Sequence, residues 1–276
     1  MLMPPVEAQK AACRVAGPLL RLPEVPEASG IAVSRRTPGV LWTHNDSGQP
    51  WLFAFTTAGA PAGRVRVSGA QVVDWEDIAV GPCGSGSCVY IGDIGDNDAK
   101  RQTVTIYRVP EPAPRDPATA PADALQAVYP DRPHDAEALF VLPDGGLFIV
   151  TKEDPVALYR VPGPFRAGTT VRLERVATLA PQGGTSRSAG RRAHVTGADA
   201  SPDGRWVALR TNAAVMFYSA REFVAGQIRE VLHYDVTALH EPQGEGVAFG
   251  AANDIWLAGE GGGTFGTLAR VECTLK

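Results

Sequence analysis

One short plan recurs five times along the chain, and this repeat constrains the fold more than any other feature. Each copy has a small or acidic residue, the start of an apolar strand, a turn and a second apolar strand. The copies are SGIAVSRRTPGVLWTHND (29–46), EDIAVGPCGSGSCVYIGDIGDN (76–97), EALFVLPDGGLFIVTKED (137–154), TGADASPDGRWVALRTN (196–212) and EGVAFGAANDIWLAGEG (245–261). Successive copies begin 47, 61, 59 and 49 residues apart, a spacing typical of the blades of a β-propeller.

Two further strand-like runs follow each of the first four copies, so that a blade has four strands. These runs are 51–55, 63–69, 104–109, 124–129, 157–161, 171–179, 215–219 and 228–234. PDGG (143–146) and PDGR (202–205) suit tight hairpin turns, whereas the Pro-rich stretch 111–123 and the stretch 181–192 read as surface loops. We therefore predict an all-β, five-bladed β-propeller with four-stranded blades. A six-bladed propeller is the alternative, and a β-sandwich would not explain five copies of one motif.

The last copy is followed by only one strand, GTLARVEC (266–273), and the segment 13–23 at the other end of the chain can complete its blade. This closure defines a single propeller domain over 13–276, preceded by a tail of residues 1–12. It also brings Cys13 beside Cys273, and a second pair, Cys83 and Cys88, brackets a Gly/Ser loop. We expect two disulfides, with four reduced thiols as the alternative.

A pairable set of cysteines favours an oxidising compartment. We therefore expect a secreted, periplasmic or cell-surface protein. Its leader peptide would be absent from this chain, because residues 1–13 lack the apolar core of a signal peptide.

Charge and hydropathy exclude two classes of partner. The net charge is −4 and the 26 basic residues form no cluster longer than a pair, which argues against binding a nucleic-acid duplex. No apolar run approaches the 18 residues of a membrane span. We expect a monomer with a small ligand at the mouth of its channel.

The first strand of each propeller blade lines the central channel, and near its start a side chain can point towards the axis. Alignment of the copies puts an oxygen-bearing side chain at this position in every blade: Ser29, Glu76, Glu137, Thr196 and Glu245. Three carboxylates about 6 Å apart would repel by about 3 kcal/mol per pair at an effective dielectric of ~20. A hard divalent cation would relieve the repulsion, and an all-oxygen ring favours Ca²⁺. Alternatively, these acids hydrogen-bond strand ends and water in a wet channel.

The order Ser/Glu/Glu/Thr/Glu around five blades resembles that of the calcium-activated nucleotidase (apyrase) family. The stretches WEDIAV (75–80) and VYIGDIGDND (89–98) also resemble the second blade of that family, and QGEGVAF (243–249) resembles its last blade. The resemblance implies a secreted five-bladed propeller with a channel Ca²⁺ held by Ser29, Glu76, Glu137, Thr196 and Glu245. Thr196 stands where that family has a serine. The Glu-Gly-apolar strand starts are also similar to those of β-propeller phytases and their esterase-like relatives.

The second strand of each blade ends in polar residues, which we expect near one mouth of the channel. Asp93, Asp46 and His44 are candidates for activating water, with the Asp residues first. Candidates for binding substrate are Lys152, Arg210, Trp75 and Glu260. The alternative is that the acids cap strand bends and that the tryptophan packs between blades. His134 and His194, which precede ring positions, could border the same mouth.

These features predict an extracytoplasmic Ca²⁺-dependent hydrolase of a small anionic substrate, a phosphoester or a phosphoanhydride. The alternative is a non-catalytic propeller that binds a protein or a glycan and uses Ca²⁺ to stabilise its channel. The G-x-S-x-G, Walker and HExxH motifs are all absent from the sequence.

Overall fold

The strands of the chain form five small antiparallel sheets arranged as a ring. A computed structural model describes residues 12–152, 155–179, 194–251 and 254–276. Each of the five sheets contains at least four strands, so the prediction of a five-bladed β-propeller is confirmed. The loop predicted at 181–192 lies outside the described residues.

The N-terminal strands are β1 (Ala12–Val15) and β2 (Leu20–Leu22). Blade 1 contains β3 (Ala28–Val33), β4 (Val40–Asn45), β5 (Trp51–Thr56) and β6 (Pro61–Arg66). Blade 2 contains β7 (Trp75–Cys83), β8 (Gly86–Asp93), β9 (Val104–Pro110) and β10 (Asp123–Val128). Blade 3 contains β11 (Ala136–Val141), β12 (Leu147–Thr151) and β13 (Ala157–Arg160); β14 (Thr170–Arg172) follows in the chain, and β15 (Glu174–Thr178) is the outer strand of blade 3.

Blade 4 contains β16 (Val195–Ala200), β17 (Trp206–Thr211), β18 (Ala214–Ser219) and β19 (Glu230–Asp235). A short helix α1 (Ala220–Val224) precedes β19, and a 3₁₀ turn (Thr237–Leu239) follows it. Blade 5 contains β20 (Gln243–Phe249), β21 (Asp254–Glu260) and β22 (Gly266–Thr274). Its outer edge is supplied by the N-terminal strands.

The ring closes between the two ends of the chain, as predicted. Strand β1 pairs with β22 so that Cys13 lies opposite Cys273, and the two residues form a disulfide. Cys83 and Cys88 form the second disulfide in the β7–β8 hairpin. The segment expected to be one strand is instead two, because Gly17 and Pro18 separate β1 from β2 and a proline has no N–H to give to the ladder.

The run 171–179 also departs from the prediction of one strand. Its first part, β14, adds in parallel to β10 at the outer edge of blade 2, and its second part, β15, closes blade 3. The break falls at Leu173, whose side chain is buried and whose N–H bonds to the carbonyl of Val128. This segment therefore connects the outer edges of two neighbouring blades.

The hydrophobic core lies between the blades. Five clusters of buried side chains occupy the five interfaces between adjacent blades, including the interface between blades 5 and 1. Tight turns after Pro143 and Pro202 place Gly145 (φ 89°) and Gly204 (φ 70°) where a positive φ is needed, as PDGG and PDGR predicted. Within the described ranges, no helix has the length and apolar character needed to cross a bilayer.

Candidate functional site

The innermost strands all break register at the same point. In β3, β7, β11, β16 and β20 the pairing with the second strand shifts at the position predicted to face the axis. The residues at these bulges form the inner ring: Ser29, Glu76, Glu137, Thr196 and Glu245. A bulge re-aims a side chain relative to its strand neighbours, and all five inner-ring residues are buried. The sequence alignment of the five copies therefore corresponds to one repeated backbone feature.

The two hydroxyls of the inner ring connect neighbouring blades. Ser29 Oγ donates to the carbonyl of Glu76 at 2.5 Å, which joins blade 1 to blade 2. Thr196 Oγ1 donates to the carbonyls of Gly244 and Glu245, both at 3.0 Å, which joins blade 4 to blade 5. Each hydroxyl oxygen keeps lone pairs after donating its hydrogen. Both side chains can therefore hold the blades together and still offer an oxygen ligand.

The axis is filled one layer below the inner ring by Asp77. Its Oδ2 accepts the N–H groups of Leu139 in blade 3 at 2.9 Å and of Ala198 in blade 4 at 3.1 Å, and its Oδ1 accepts its neighbour Ile78 N–H at 2.9 Å. The side chain is fully buried, and burial raises its pKa well above the usual range. Asp77 thus links the innermost strands of blades 2, 3 and 4 below the ring.

Close approach of the blades at this same layer requires glycine. A Cβ at Gly30 would lie 2.6 Å from Asp77 Oδ1 and 2.5 Å from the backbone nitrogen of Ile78. A Cβ at Gly246 would lie 2.7 Å from the backbone nitrogen of Ile31. Since real Cβ contacts of this length do not occur, the Glu-Gly and Ser-Gly strand starts reflect packing at the axis.

A cavity of about 360 Å³ opens above the inner ring, on the side of blades 2 to 5. Every residue in its lining is polar: Asn97, Asp135, Glu137, Lys152, His194, Thr196, Asn212, Gln243 and Glu245. Three carboxyl groups therefore face one ammonium group in this lining. The prediction of a polar channel mouth at the ends of the second strands is consistent with this cavity.

Lys152 is the cation at the centre of this lining. Its ammonium contacts Glu137 Oε1 directly and lies 3.5 Å from Asp135 Oδ2. Its Nζ also reaches Asn97 Oδ1 at 3.4 Å. Burial opposes the charged form, but the carboxylates of Glu137 and Asp135 outweigh burial and raise the pKa of Lys152.

The three ring carboxylates interact across the channel. Burial raises the pKa of Glu137 to about 7, although Lys152 acts in the opposite direction. Burial and then the charge of Glu137 raise the pKa of Glu245 to about 8. The same two causes raise the pKa of Glu76 well above its usual range. Burial and neighbouring acids therefore disfavour the charged forms of all three ring carboxyl groups.

A second layer of polar side chains lies two residues before each ring position. This outer ring consists of Glu27, Asp74, Asp135, His194 and Gln243. Gln243 Nε2 donates to Glu245 Oε1 at 2.6 Å and to Glu260 Oε1 at 2.8 Å, so it fixes one ring carboxylate. A Cβ at Gly95 would lie 2.2 Å from Glu76 Oε1 and 2.4 Å from Asp74 Oδ2, which places both carboxylates against this glycine.

Asp46 belongs to an acidic group on the blade 1 side of the mouth. Burial and the charge of Glu27 raise the pKa of Asp46 to about 7, and Glu260 and Asp74 contribute in the same direction. Its Oδ1 is buried and accepts no hydrogen bond from the described residues. Burial and Glu27 also raise the pKa of Glu260. Both predicted residues, Asp46 and Glu260, therefore lie at the mouth.

Asp93 binds the backbone segment that leads into β7, the first strand of blade 2. Its carboxylate accepts the N–H groups of Val73 at 3.1 Å and of Asp74 at 3.2 Å. It also pairs with Arg101 at 2.8 Å and is 1% exposed. These contacts use the carboxylate to position the acidic stretch that leads to Glu76.

His44 and Trp75 pack together between blades 1 and 2. His44 Nε2 accepts the N–H of Gly30 at 3.3 Å, and its Nδ1 lies 2.9 Å from the carbonyl of Asn45. Burial lowers the pKa of His44 to about 4. Trp75 is fully buried, lies edge-on to His44 and donates from Nε1 to the carbonyl of Gln71 at 2.8 Å. Neither ring has a face open at the mouth.

Arg210 is fully buried beneath the mouth. Its Nη1 donates to the carbonyls of Gly246 at 2.7 Å and Ala258 at 2.6 Å, and its Nη2 pairs with Glu241. The guanidinium therefore joins blade 4 to blade 5. Four residues were predicted to bind substrate. Lys152 lies in the cavity lining, and Glu260 lies beside the cavity, where it accepts a hydrogen bond from Gln243. Arg210 and Trp75 are enclosed in the protein.

The two histidines predicted near the mouth differ in their surroundings. His194 lines the cavity. His134 is buried, with Nε2 3.0 Å from Asp131 Oδ1 and 3.1 Å from the hydroxyl of Tyr159. Sequence reasoning missed Asp135 and Gln243. The signal was a polar residue two positions before every ring residue, since side chains two apart share a face of a strand.

The donor set of the inner ring fits a hard cation. It consists of three buried carboxylates and two hydroxyls, and Ca²⁺ prefers oxygen ligands of these kinds. Within the described residues, however, no three His, Cys, Asp or Glu side chains are arranged to hold a metal ion. Because Glu137 contacts Lys152, its position is set by the ammonium group.

The fold and this site define a five-bladed propeller with an acidic, polar mouth above its inner ring. No protein-family model matches the chain, and no curated protein matches it in sequence. Among solved structures, the chain is similar to a PQQ-bound aldose sugar dehydrogenase from Streptomyces coelicolor. The two are 12% identical over 96% of this chain and 99% of that chain, with a TM-score of 0.55.

The chain is also similar to the major allergen Mala s 1 of Malassezia sympodialis. In this case the identity is 10% over 93% of this chain and 96% of that chain, with a TM-score of 0.56. At such identities the similarity extends to the fold alone. Fold does not define chemistry, so the function must be argued from the site.

Proposed function

We propose that this protein is an extracytoplasmic propeller that binds Ca²⁺ at the inner ring and uses the ion to hydrolyse a small anionic substrate, a phosphoester or a phosphoanhydride. The observation that carries the proposal is the group of three buried carboxylates, Glu76, Glu137 and Glu245, with one ammonium beside them. Buried carboxylates with raised pKa values take up either protons or a cation. The proposal places a cation there.

The charge of the cavity supports a role for the ion in binding substrate. The lining has three carboxyl groups and one lysine, and the nearby arginines are already paired, Arg101 with Asp93 and Arg210 with Glu241. An anionic substrate would be repelled by such a lining. When bound, Ca²⁺ would supply positive charge that polarises a phosphoryl oxygen and orients the substrate.

Asp46 is the best candidate for the general base among the residues of this chain. Its pKa of about 7 suits proton transfer near neutral pH, and its Oδ1 accepts no hydrogen bond from the described residues. Asp93 and His44 are less suited to the role, because both are held by backbone groups. Asn97, Asn212 and Gln243 would orient the substrate from the cavity wall.

The two disulfides support the proposed compartment, because they fit an extracellular protein. The resemblance to the calcium-activated nucleotidases supports the same assignment and makes nucleotides the first substrates to test. The β-propeller phytases make phytate the second.

The proposal is tested by metal analysis and an activity screen on the purified protein. We expect one equivalent of Ca²⁺ per chain and hydrolysis of a nucleotide, phytate or an aryl phosphate that stops with a chelator and returns with Ca²⁺. Glu137→Gln should abolish both, whereas Glu174→Gln, at an exposed residue of the same blade paired with Arg160, should change neither. Absence of bound Ca²⁺ in the wild type would overturn the proposal.

A second candidate is a non-catalytic propeller that binds a glycan. The amide side chains of Asn97, Asn212 and Gln243 favour it, because amides and carboxylates together can pair with sugar hydroxyls. In this case Glu137→Gln would lower the melting temperature in Ca²⁺, and the wild type would bind sugars in a glycan array but remain inactive in every hydrolysis assay. Loss of turnover in a variant that keeps its thermal stability would exclude this candidate.

A further inference from the structure

The position of Lys152 is fixed by the backbone at the entrance to the inner ring. The residue directly follows β12, and its N–H donates to the carbonyl of Asp135 at 3.0 Å. Its side chain therefore starts from an anchored point on blade 3. From there the ammonium group reaches Glu137, the ring residue of the same blade.

The ammonium has two distinct sets of oxygen partners. One is the ring carboxylate of Glu137, and the other lies outside the ring and consists of Asp135 Oδ2 at 3.5 Å and Asn97 Oδ1 at 3.4 Å. A lysine side chain has a flexible four-carbon stem and three N–H donors that rotate about its end. A small rotation can therefore move the charge from the ring to the outer pair without moving the backbone.

The arginines near the mouth cannot take over this task. Arg101 is held by Asp93 and by the carbonyl of Gly95, and Arg210 is enclosed between blades 4 and 5. Lys152 is thus the one cationic residue in the described lining of the cavity that touches a ring carboxylate.

We propose that Lys152 is a tethered counter-ion of the inner ring: it neutralises Glu137 in the cation-free protein, and a divalent cation binds by displacing it towards Asp135 and Asn97. This inference rests on the proposed function and assigns Lys152 a role in setting cation affinity instead of gripping substrate. An ammonium and a divalent cation repel each other strongly at this range. Both therefore cannot occupy the ring at once.

The displacement explains the geometry of the ring carboxylates. Glu137 lies against Lys152, so the three acids do not converge as ligands in this state. Asp135 lies two residues from Glu137 on the same strand entry and can accept the released ammonium. In blade 3, the outer-ring residue Asp135 therefore receives the displaced ammonium and does not bind the ion.

The test compares Lys152→Met with Lys100→Met by calorimetric titration of Ca²⁺ into the full chain. Methionine keeps the length of the apolar stem and removes the charge. Lys100 is exposed and pairs with Asp98 on the loop after β8, so its substitution changes the net charge equally. We expect Lys152→Met to bind Ca²⁺ about tenfold or more tightly than the wild type, since no counter-ion must be displaced, and Lys100→Met to bind as the wild type does.

A second measurement follows the lysine directly in the wild-type protein. The chain has four lysines, Lys10, Lys100, Lys152 and Lys276, and ¹³C dimethylation keeps their charge and gives each an NMR signal. Addition of Ca²⁺ should shift the Lys152 signal and leave the Lys100 signal in place. Asp135→Asn, which removes the outer carboxylate, should weaken Ca²⁺ binding by the protein that keeps Lys152. The same substitution should have little effect in the Lys152→Met background.

The outcomes separate this inference from the proposed function. Equal or weaker Ca²⁺ binding by Lys152→Met, with normal binding by the wild type, would overturn the inference and leave the proposed function standing. Binding by Lys152→Met alone would support the role of the lysine and contradict Ca²⁺ binding by the natural chain. Binding by neither protein would overturn both.

Discussion

The carboxylate of Asp77 in blade 2 accepts the backbone N–H of Ala198 in blade 4, 121 positions further along the chain, at 3.1 Å. The same oxygen accepts the N–H of Leu139 in blade 3. One side chain therefore satisfies backbone donors of three blades, with its own Ile78 as the third donor. A closed ring needs such a connection at its axis, where the innermost strands leave N–H groups without strand partners.

The first prediction is that Asp77→Asn destabilises the whole propeller. An amide has one acceptor oxygen, so at least one of the three buried N–H groups loses its partner and faces a second donor. We expect a loss of about 1–3 kcal/mol in the free energy of unfolding. Urea denaturation followed by tryptophan fluorescence measures it. Asp98→Asn, at an exposed residue paired with Lys100, is the control and should unfold as the wild type does.

The second prediction concerns stability in mild acid. The pKa of His44 falls from its usual 6.5 to about 4 because the ring is buried. The unfolded chain therefore takes up a proton that the folded chain refuses. Stability from this residue is complete above pH 6.5 and is lost as the pH falls towards 4, by about 3 kcal/mol in all.

Chemical denaturation between pH 7 and 4 tests the His44 prediction by comparing slopes. His44→Gln keeps an acceptor for Gly30 and removes the titration, so its stability should fall less steeply with acid than that of the wild type. Burial raises the pKa of Asp199 to about 7, and its contribution runs in the opposite direction. Asp199 is present in both proteins and cancels from the difference. Identical slopes would contradict a neutral, buried His44.

The sequence predicted the features that repeat or that depend on chain ends. Apolar periodicity and turn residues recur in every blade, so blade number, the closing strand and both cysteine pairs could be derived from local patterns. The three acids of DWEDIAV (74–80) were only partly predictable. The repeat alignment singled out Glu76 for the inner ring, but it did not distinguish Asp74, which lies at the mouth, from Asp77, which lies at the axis.

The candidates for chemistry were harder to place, because side chains alternate faces along a strand. A shift of one residue moves a side chain from the channel to the space between blades. His44, Trp75 and Arg210 stand at strand ends, as predicted, but the fold directs them into the interfaces between blades. Their partners, such as Gly30 and Glu241, come from other strands and loops, so the sequence alone could not reveal them.

The third prediction separates the two disulfides. The bond between Cys13 and Cys273 joins residues 260 positions apart and holds the closing strand, whereas Cys83 and Cys88 are five positions apart. In the chain-entropy model the long loop contributes about 5.5 kcal/mol and the short one about 2 kcal/mol. The Ser/Ser variant of Cys13 and Cys273 should therefore melt well below that of Cys83 and Cys88 in a thermal scan. The reverse order would show that closure at β1 contributes little.

The last prediction assigns Arg210 to the interface between blades 4 and 5. Its guanidinium pairs with Glu241 and donates to the carbonyls of Gly246 and Ala258, with no exposed surface. Arg210→Met leaves Glu241 as a buried charge without its partner, and we expect a loss of about 3–5 kcal/mol in the free energy of unfolding. In the double variant Arg210→Met with Glu241→Gln, much of that loss should be recovered, because the unpaired charge is gone. A residue that served mainly to bind an anionic substrate would instead leave stability unchanged when removed, and the double variant would gain nothing over the single one.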